Sequence, residues 1–138
     1  MHCSPLLFPA VRQKYDMEDR SIALRSLFLG DIFHAASPNG ASLICLVTSI
    51  AQDVIIARTV TSQLEFQFDR ITGLAEFGAE KVPCSINSVA ALPAEIHQIM
   101  LGLDRKFRFE TDMEKLKLTK DEIRGLVFVG EFYEDNQL

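Results

Sequence analysis

The sequence predicts an α+β fold: a small antiparallel meander of five strands, closed as an SH3-like barrel, with an N-terminal helix and two C-terminal helices packed on it. Three observations predict it. Between residues 42 and 77, apolar runs of strand length are separated only by very short polar turns. One of those runs alternates strictly between large apolar and polar residues. After residue 92 the spacing of apolar residues changes from two to the helical period. Five short strands with tight turns leave edges that invite aggregation, so closure is favoured over a flat sheet covered by helices on one side.

Taken in order, residues 1–14 read as an extended arm of a single domain spanning 1–138, because Pro5 and Pro9 interrupt the only apolar patch. No basic residue precedes that patch and no small-residue cleavage signature follows it, so it does not read as a secretion signal. Residues 15–29 open with Asp16, Glu18 and Asp19, which suit a first helical turn, and place Met17, Leu24, Leu27 and Phe28 at helical offsets. Residues 30–86 are the meander. Residues 30–36 enter it, and Pro38, Asn39 and Gly40 supply the first turn. Leu43 to Ile50 is almost unbroken in its apolarity, the pattern of a strand buried on both faces. Val54 to Val60 returns as its hairpin partner. Leu64, Phe66 and Phe68 alternate with Glu65, Gln67 and Asp69, a strand with one wet face. Leu74 to Phe77 follows a turn ended by Gly73, and a short segment around Pro83 reads as a closing edge, where proline is tolerated.

Residues 92–107 form a lid helix opened by Pro93, with Ile96, Ile99, Met100, Leu103 and Phe107 on one stripe. The alternation at both ends of residues 107–118 predicts a small hairpin. Thr119 and Glu122 then form a capping box that starts a last helix over 119–133, with Leu118 positioned to staple onto Ile123. That helix is apolar on more than one face. It either packs within its own domain or offers Phe128, Phe132 and Tyr133 to a partner.

Charge narrows the functions. The net charge is -5, and residues 26–104 hold three basic and eight acidic side chains, a surface sign that repels phosphate backbones. The one candidate cationic patch is the segment 105–124, with Arg105, Lys106, Arg108, Lys115 and Lys117 around Phe107 and Phe109. Glu110, Asp112 and Glu114 lie among those charges, so nucleic acid is expected to be an unlikely partner. Cys3, Cys45 and Cys84 are odd in number and widely spaced, which fits neither a disulfide framework nor a zinc site and suggests a reducing cytoplasm. No apolar run reaches the length of a membrane span.

No glycine-rich phosphate loop, GxSxG elbow, HExxH or CxxC motif is present, and His2, His34 and His97 are too scattered for a ligand set. Neither a cofactor nor a metal is expected. Asp31 and His34 sit three apart on a strand and so face opposite sides, and His97 and Asp104 share no more than a helix face. Asn39, Asp53, Gln63 and Arg70 mark turns where a groove would be accessible. The favoured function is therefore a non-catalytic cytoplasmic protein-interaction module whose last helix meets either a protein partner or a second copy of itself. Second stands a nucleic-acid-binding accessory protein, and third a small enzyme whose residues meet only in the fold, built on Cys45 or His34.

Overall fold

A computed structural model describes residues 19–77 and 82–138. The arm expected at 1–14, the first residues of the N-terminal helix and Cys3 lie outside them. Residues 19–25 are helical (α1), and six strands follow: β1 (Ile32–Ala36), β2 (Ser42–Ile50), β3 (Val54–Thr59), β4 (Glu65–Asp69), β5 (Leu74–Phe77) and β6 (Val82–Ser88). Two long helices, α2 (Ala94–Phe109) and α3 (Lys120–Asp135), complete the chain.

The strands form one antiparallel sheet in the order β4-β3-β2-β1-β6-β5, which curls until its two edge strands come together as a nearly closed barrel. The α+β barrel expected from the sequence is present, with six strands in place of five. The sixth is the segment around Pro83. It is not an edge: β6 lies between β1 and β5. Proline is accommodated there because β1 pairs only with Ser85, Ile86 and Ser88 of β6, leaving Pro83 beyond the end of β1, where no ladder bond needs its missing N–H.

Burial on both sides of the sheet explains why Leu43 to Val47 is continuously apolar, the polar Thr48 and Ser49 falling where β2 is less covered. The inward side chains of β2, Cys45 and Val47, join Phe33, Ile55, Phe68 and Ile86 in the barrel interior, and Leu24 of α1 and Leu27 just beyond it join the same core. Phe33 and Phe68 meet edge to face at 5.3 Å. The outward side chains Ile44 and Leu46 join Ile32 and Val60 beneath α2 and α3. The predicted stripe of the lid helix packs there in full: Ile96, Ile99, Met100, Leu103 and Phe107 all belong to this outer core. Gly125 lets the two helices approach closely, since a Cβ built on it would sit 3.0 Å from a side-chain carbon of Ile99. The Thr119–Glu122 capping box forms in both directions, at 3.1 and 2.8 Å, while Leu118 turns into the outer core and Ile123 remains half exposed.

The hairpin expected over residues 107–118 is absent. Phe107 and Phe109 belong to α2, because the stripe that begins at Ile96 continues through Leu103 to Phe107. Beyond it, Glu110 and Asp112 each accept a backbone N–H two residues on, at 3.0 Å, which folds the segment into tight turns instead of a ladder.

One polar cluster ties the helices to the barrel. Asp104 of α2 is 2% exposed and receives a two-pronged bond from Arg58 of β3, through Nε and Nη2, both at 2.9 Å. Gln63 Nε2 donates to the same carboxylate at 3.0 Å and Arg108 approaches it at 3.4 Å. Gln63 also donates to the Val60 carbonyl at 2.8 Å, which holds its turn in the left-handed conformation (φ 57°) that glutamine seldom adopts. Burial alone raises the Asp104 carboxyl, but the bonds from Arg58 and Gln63 and the charges of Arg58 and Arg108 outweigh it and hold the group below the usual carboxylate range.

Replacing Asp104 by Ala strands Arg58 beneath α2 and is expected to cost about 3–5 kcal/mol in urea unfolding. Because the folded-state pKa is depressed, this stabilisation is present above the unfolded-state value of about 4 and is lost as pH falls through the folded one. An Asp104→Asn variant should therefore show a weaker loss of stability below about pH 4 than the parent protein.

Candidate functional site

The barrel is left open at one place. β4 and β5 follow one another across residues 70–73, yet no ladder joins them. The turn consumes the groups that would begin one. Asp69 Oδ1 accepts the N–H groups of Ile71 and Thr72 at 2.8 and 2.9 Å, the Asp69 carbonyl accepts from Gly73 at 2.7 Å, and Thr72 Oγ1 accepts from Leu74 at 3.3 Å. Those backbone bonds hold the Asp69 carboxyl below its usual range. Arg20 of α1 pulls the turn toward β6, donating to the Thr72 and Ile86 carbonyls at 3.0 and 2.7 Å and to Ser85 Oγ at 3.1 Å. Gly73 permits this approach: its φ is 74°, and a Cβ there would lie 2.5 Å from the guanidinium.

Ladder alternation fixes which edge groups face the opening. Thr59 N–H bonds to the Leu64 carbonyl and Arg70 N–H to the Asp53 carbonyl, so in register Phe66 and Phe68 bond to β3. The backbone N–H and C=O groups of Glu65 and Gln67 turn the other way, where the sheet has no further strand among the described residues. On the opposite lip, Ile86 N–H bonds to the Gly73 carbonyl, so the backbone groups of Leu74 and Glu76 face outward. Between the lips runs a groove of about 720 Å³ whose walls include Val54, Phe66, Phe68, Leu74 and Ala75, with the exposed acids Glu65 and Asp69 on the β4 lip.

The residues singled out from sequence fall elsewhere. On α3, Tyr133 is 1% exposed; its hydroxyl donates to the Ile32 carbonyl at 3.1 Å, and burial pushes its pKa up. It belongs to the chain's own core and is withdrawn from any partner surface. Phe132 is half-buried and packs on that core, and Phe128, 37% exposed, stacks on Phe132 at 5.7 Å. The exposed apolar stripe of α3 is formed instead by Ile123, Val127 and Phe128. In the basic segment, Lys106 pairs with Glu122 at 2.6 Å and Arg108 with Asp104, while the Arg108 guanidinium lies 4.5 Å from the Phe109 ring centroid. Arg105, Lys115 and Lys117 are exposed and make no ion pair among the described residues. The patch is thus divided, two of its five cations being paired with acids of α2 and α3.

The third reading also acquires a geometry. Cys45 and Cys84 are buried thiols, and burial pushes the Cys45 pKa up, which disfavours the reactive thiolate. His34 lies on the outer face at the helix rim, with both ring nitrogens engaged. Nδ1 bonds to Asn87 Oδ1 at 2.6 Å and Nε2 to Ser42 Oγ. Asp31 is turned away, its Oδ2 accepting the Phe28 N–H, and Asp104 is taken by Arg58 instead of facing His97. Ser42 and Asn87 were not legible as partners in sequence, being 8 and 53 residues from His34. Asn87 is the extra residue of a β-bulge where β6 shifts register against β1, and no local signal marks it. Among the described residues no group of three His, Cys, Asp or Glu side chains could hold a metal ion, and no helix is long and apolar enough to cross a membrane.

Set against known proteins, the chain matches no family model, no characterised protein and no solved structure.

Proposed function

We propose that the protein is a protein-interaction module that accepts an extended segment of a partner along the outward edge of β4, at its opening toward β5. The observation that carries this reading is the pair of unsealed strand edges facing one another across an apolar-walled groove. A strand laid along β4 bonds to the outward backbone groups of Glu65 and Gln67, the mode of β-strand addition. Its side chains then alternate. Those facing inward lie beside the buried Phe66 and Phe68 and must be apolar; those facing outward lie beside Glu65 and Asp69 and are favoured when basic. The occupant is therefore an extended partner peptide of alternating apolar and basic residues. The acids on the lip exclude acidic or uniformly apolar strands, including another copy of the same acidic edge.

A second reading rests on α3. Its exposed stripe of Ile123, Val127 and Phe128 runs from a first turn in which Lys120 and Arg124 are balanced by Asp121 and Glu122 toward an acidic end at Glu131 and Glu134. Two copies that pack this stripe against its own equivalent across a two-fold axis cover the apolar side chains of both.

Titration of a capped Val-Lys-Val-Lys-Val-Lys-Val peptide, followed by fluorescence anisotropy, tests the first reading. Binding is expected, weakened by salt, and lost in Gln67→Pro, which removes an outward N–H without touching the β3 ladder. No binding by the folded parent, or equal binding by the proline variant, would overturn it. For the second reading, sedimentation velocity is expected to show a dimer that Val127→Glu converts to a folded monomer; a monomeric parent at high concentration would remove it.

A further inference from the structure

We infer that Ser42, His34 and Asn87 form a nucleophile, base and positioning group for acyl transfer from small carboxylic esters. The three side chains come from β2, β1 and β6, away from the opening between β4 and β5, so this inference does not depend on the peptide-binding reading. The direction of the hydrogen bonds is set by Asn87. Its Oδ1 accepts, so Nδ1 of His34 carries the proton, Nε2 presents its lone pair, and the Ser42 hydroxyl donates to it. This is the order a serine nucleophile requires, with a base at hydrogen-bond distance and a third group that fixes the base's tautomer. An asparagine takes the orienting place without adding charge.

The backbone holds the arrangement. His34 pairs with Ile44 in a non-bonded ladder position, which sets Ser42 diagonally across the strand pair on the same face. The bulge between His34 and Ala35 delivers Asn87 beside the other edge of the ring. The Tyr133 ring supports the imidazole from below at 5.4 Å, and Leu138 N–H bonds to the Asn87 carbonyl at 2.8 Å, pinning that strand. Ser42 itself is exposed. Its N–H has no hydrogen-bond partner among the described residues. Ser37 N–H bonds to the Ala41 carbonyl, so by alternation the Ser42 N–H points away from β1. The last bond from the β3 side reaches only Ile44, from Val60 at 2.9 Å, which leaves the Ser42 N–H facing the space beside its own Oγ. The site is a ledge without a deep pocket, which fits a short acyl group with a good alcohol leaving group and excludes extended substrates that need many contacts.

In the reaction, Ser42 Oγ bonds to the ester carbonyl carbon as its proton passes to His34 Nε2, and the carbonyl oxygen takes the negative charge beside the Ser42 N–H. The carbon–oxygen bond to the alcohol then breaks, and the alcohol leaves with the proton from Nε2. Water repeats the sequence on the acyl-serine: it gives a proton to Nε2, releases the carboxylic acid, and Ser42 regains its proton.

The full-length protein treated with a fluorophosphonate probe should acquire an adduct on Ser42, located by peptide mass spectrometry, and should hydrolyse p-nitrophenyl acetate. His34→Ala and His34→Gln are expected to slow both by about 100-fold, with imidazole in solution restoring part of the His34→Ala rate. Asn87→Leu should slow the reaction, whereas Asn87→Asp, which keeps an oxygen acceptor at the same place, should retain it; a merely structural role would not separate these two variants. Ser42→Ala, with an unchanged circular dichroism spectrum, should carry no adduct. Absence of an adduct on Ser42 in the folded parent, or labelling at an unchanged rate in both His34 variants, would overturn the assignment and reduce the three residues to a hydrogen-bond chain on the sheet surface.

Discussion

The buried pair between Arg58 and Asp104 is the constraint on which the relation of helices to barrel depends. The outer core beneath α2 and α3 is otherwise made of apolar contacts, which are strong but indifferent to register. A carboxylate 2% exposed cannot shift by half a turn without losing its two bonds to Arg58 and its bond to Gln63, and an unpaired buried charge costs far more than a repacked leucine. The pair therefore selects one seating of α2 on the sheet. Lys106, two residues on, then meets Glu122 and fixes the start of α3, and the far end of α3 brings Tyr133 over Ile32 and His34.

The barrel shows a complementary constraint at its opening. A four-residue turn is long enough to bring β4 back alongside β5, but here the turn spends its hydrogen-bonding groups on Asp69, Gly73 and Thr72 and is drawn toward β6 by Arg20. Two strand edges are then left facing each other. The fold protects them with charge instead of pairing, since Glu65 and Asp69 stand on the exposed face of β4. The same charges that prevent edge-to-edge association give the opening a preference for basic strands, so protection and selectivity come from the same residues.

The two candidate surfaces occupy different parts of the sheet. The opening belongs to the edge strands and presents backbone groups. The Ser42, His34 and Asn87 chain belongs to the central strands and presents side chains, held where the helices stop short of the sheet's end. The central strands are covered on the inside by the barrel core and on the outside by α2 and α3, so a polar side chain on them either finds a hydrogen-bond partner, as Thr59 and Ser88 do, or sits at the rim, where His34 lies.

Much of this fold was written in local pattern. Strict alternation at Leu64 to Asp69 identified β4, almost unbroken apolarity at Leu43 to Ile50 identified a strand buried on both faces, the stripe from Ile96 to Phe107 identified the lid helix, and Thr119 with Glu122 marked the start of the last one. Each of these signals depends on residues a few positions apart, and the physics that produces it is equally local. The alternation over 107–118 misled because Phe107 also continued the helical stripe, and burial against the outer core outweighed the period of two. Tyr133 looked available because a helix apolar on several faces does not say which face its neighbours cover. The pairing of Arg58 with Asp104, the unsealed edges of β4 and β5 and the meeting of His34 with Ser42 and Asn87 were decided only by the tertiary structure, because each joins residues distant in sequence through strand register, a turn or a bulge. Sequence determined which segments become strands and helices and which of their faces are apolar; the folded chain decided which groups meet, since hydrogen bonds and ion pairs are set by positions in space that no short-range period encodes.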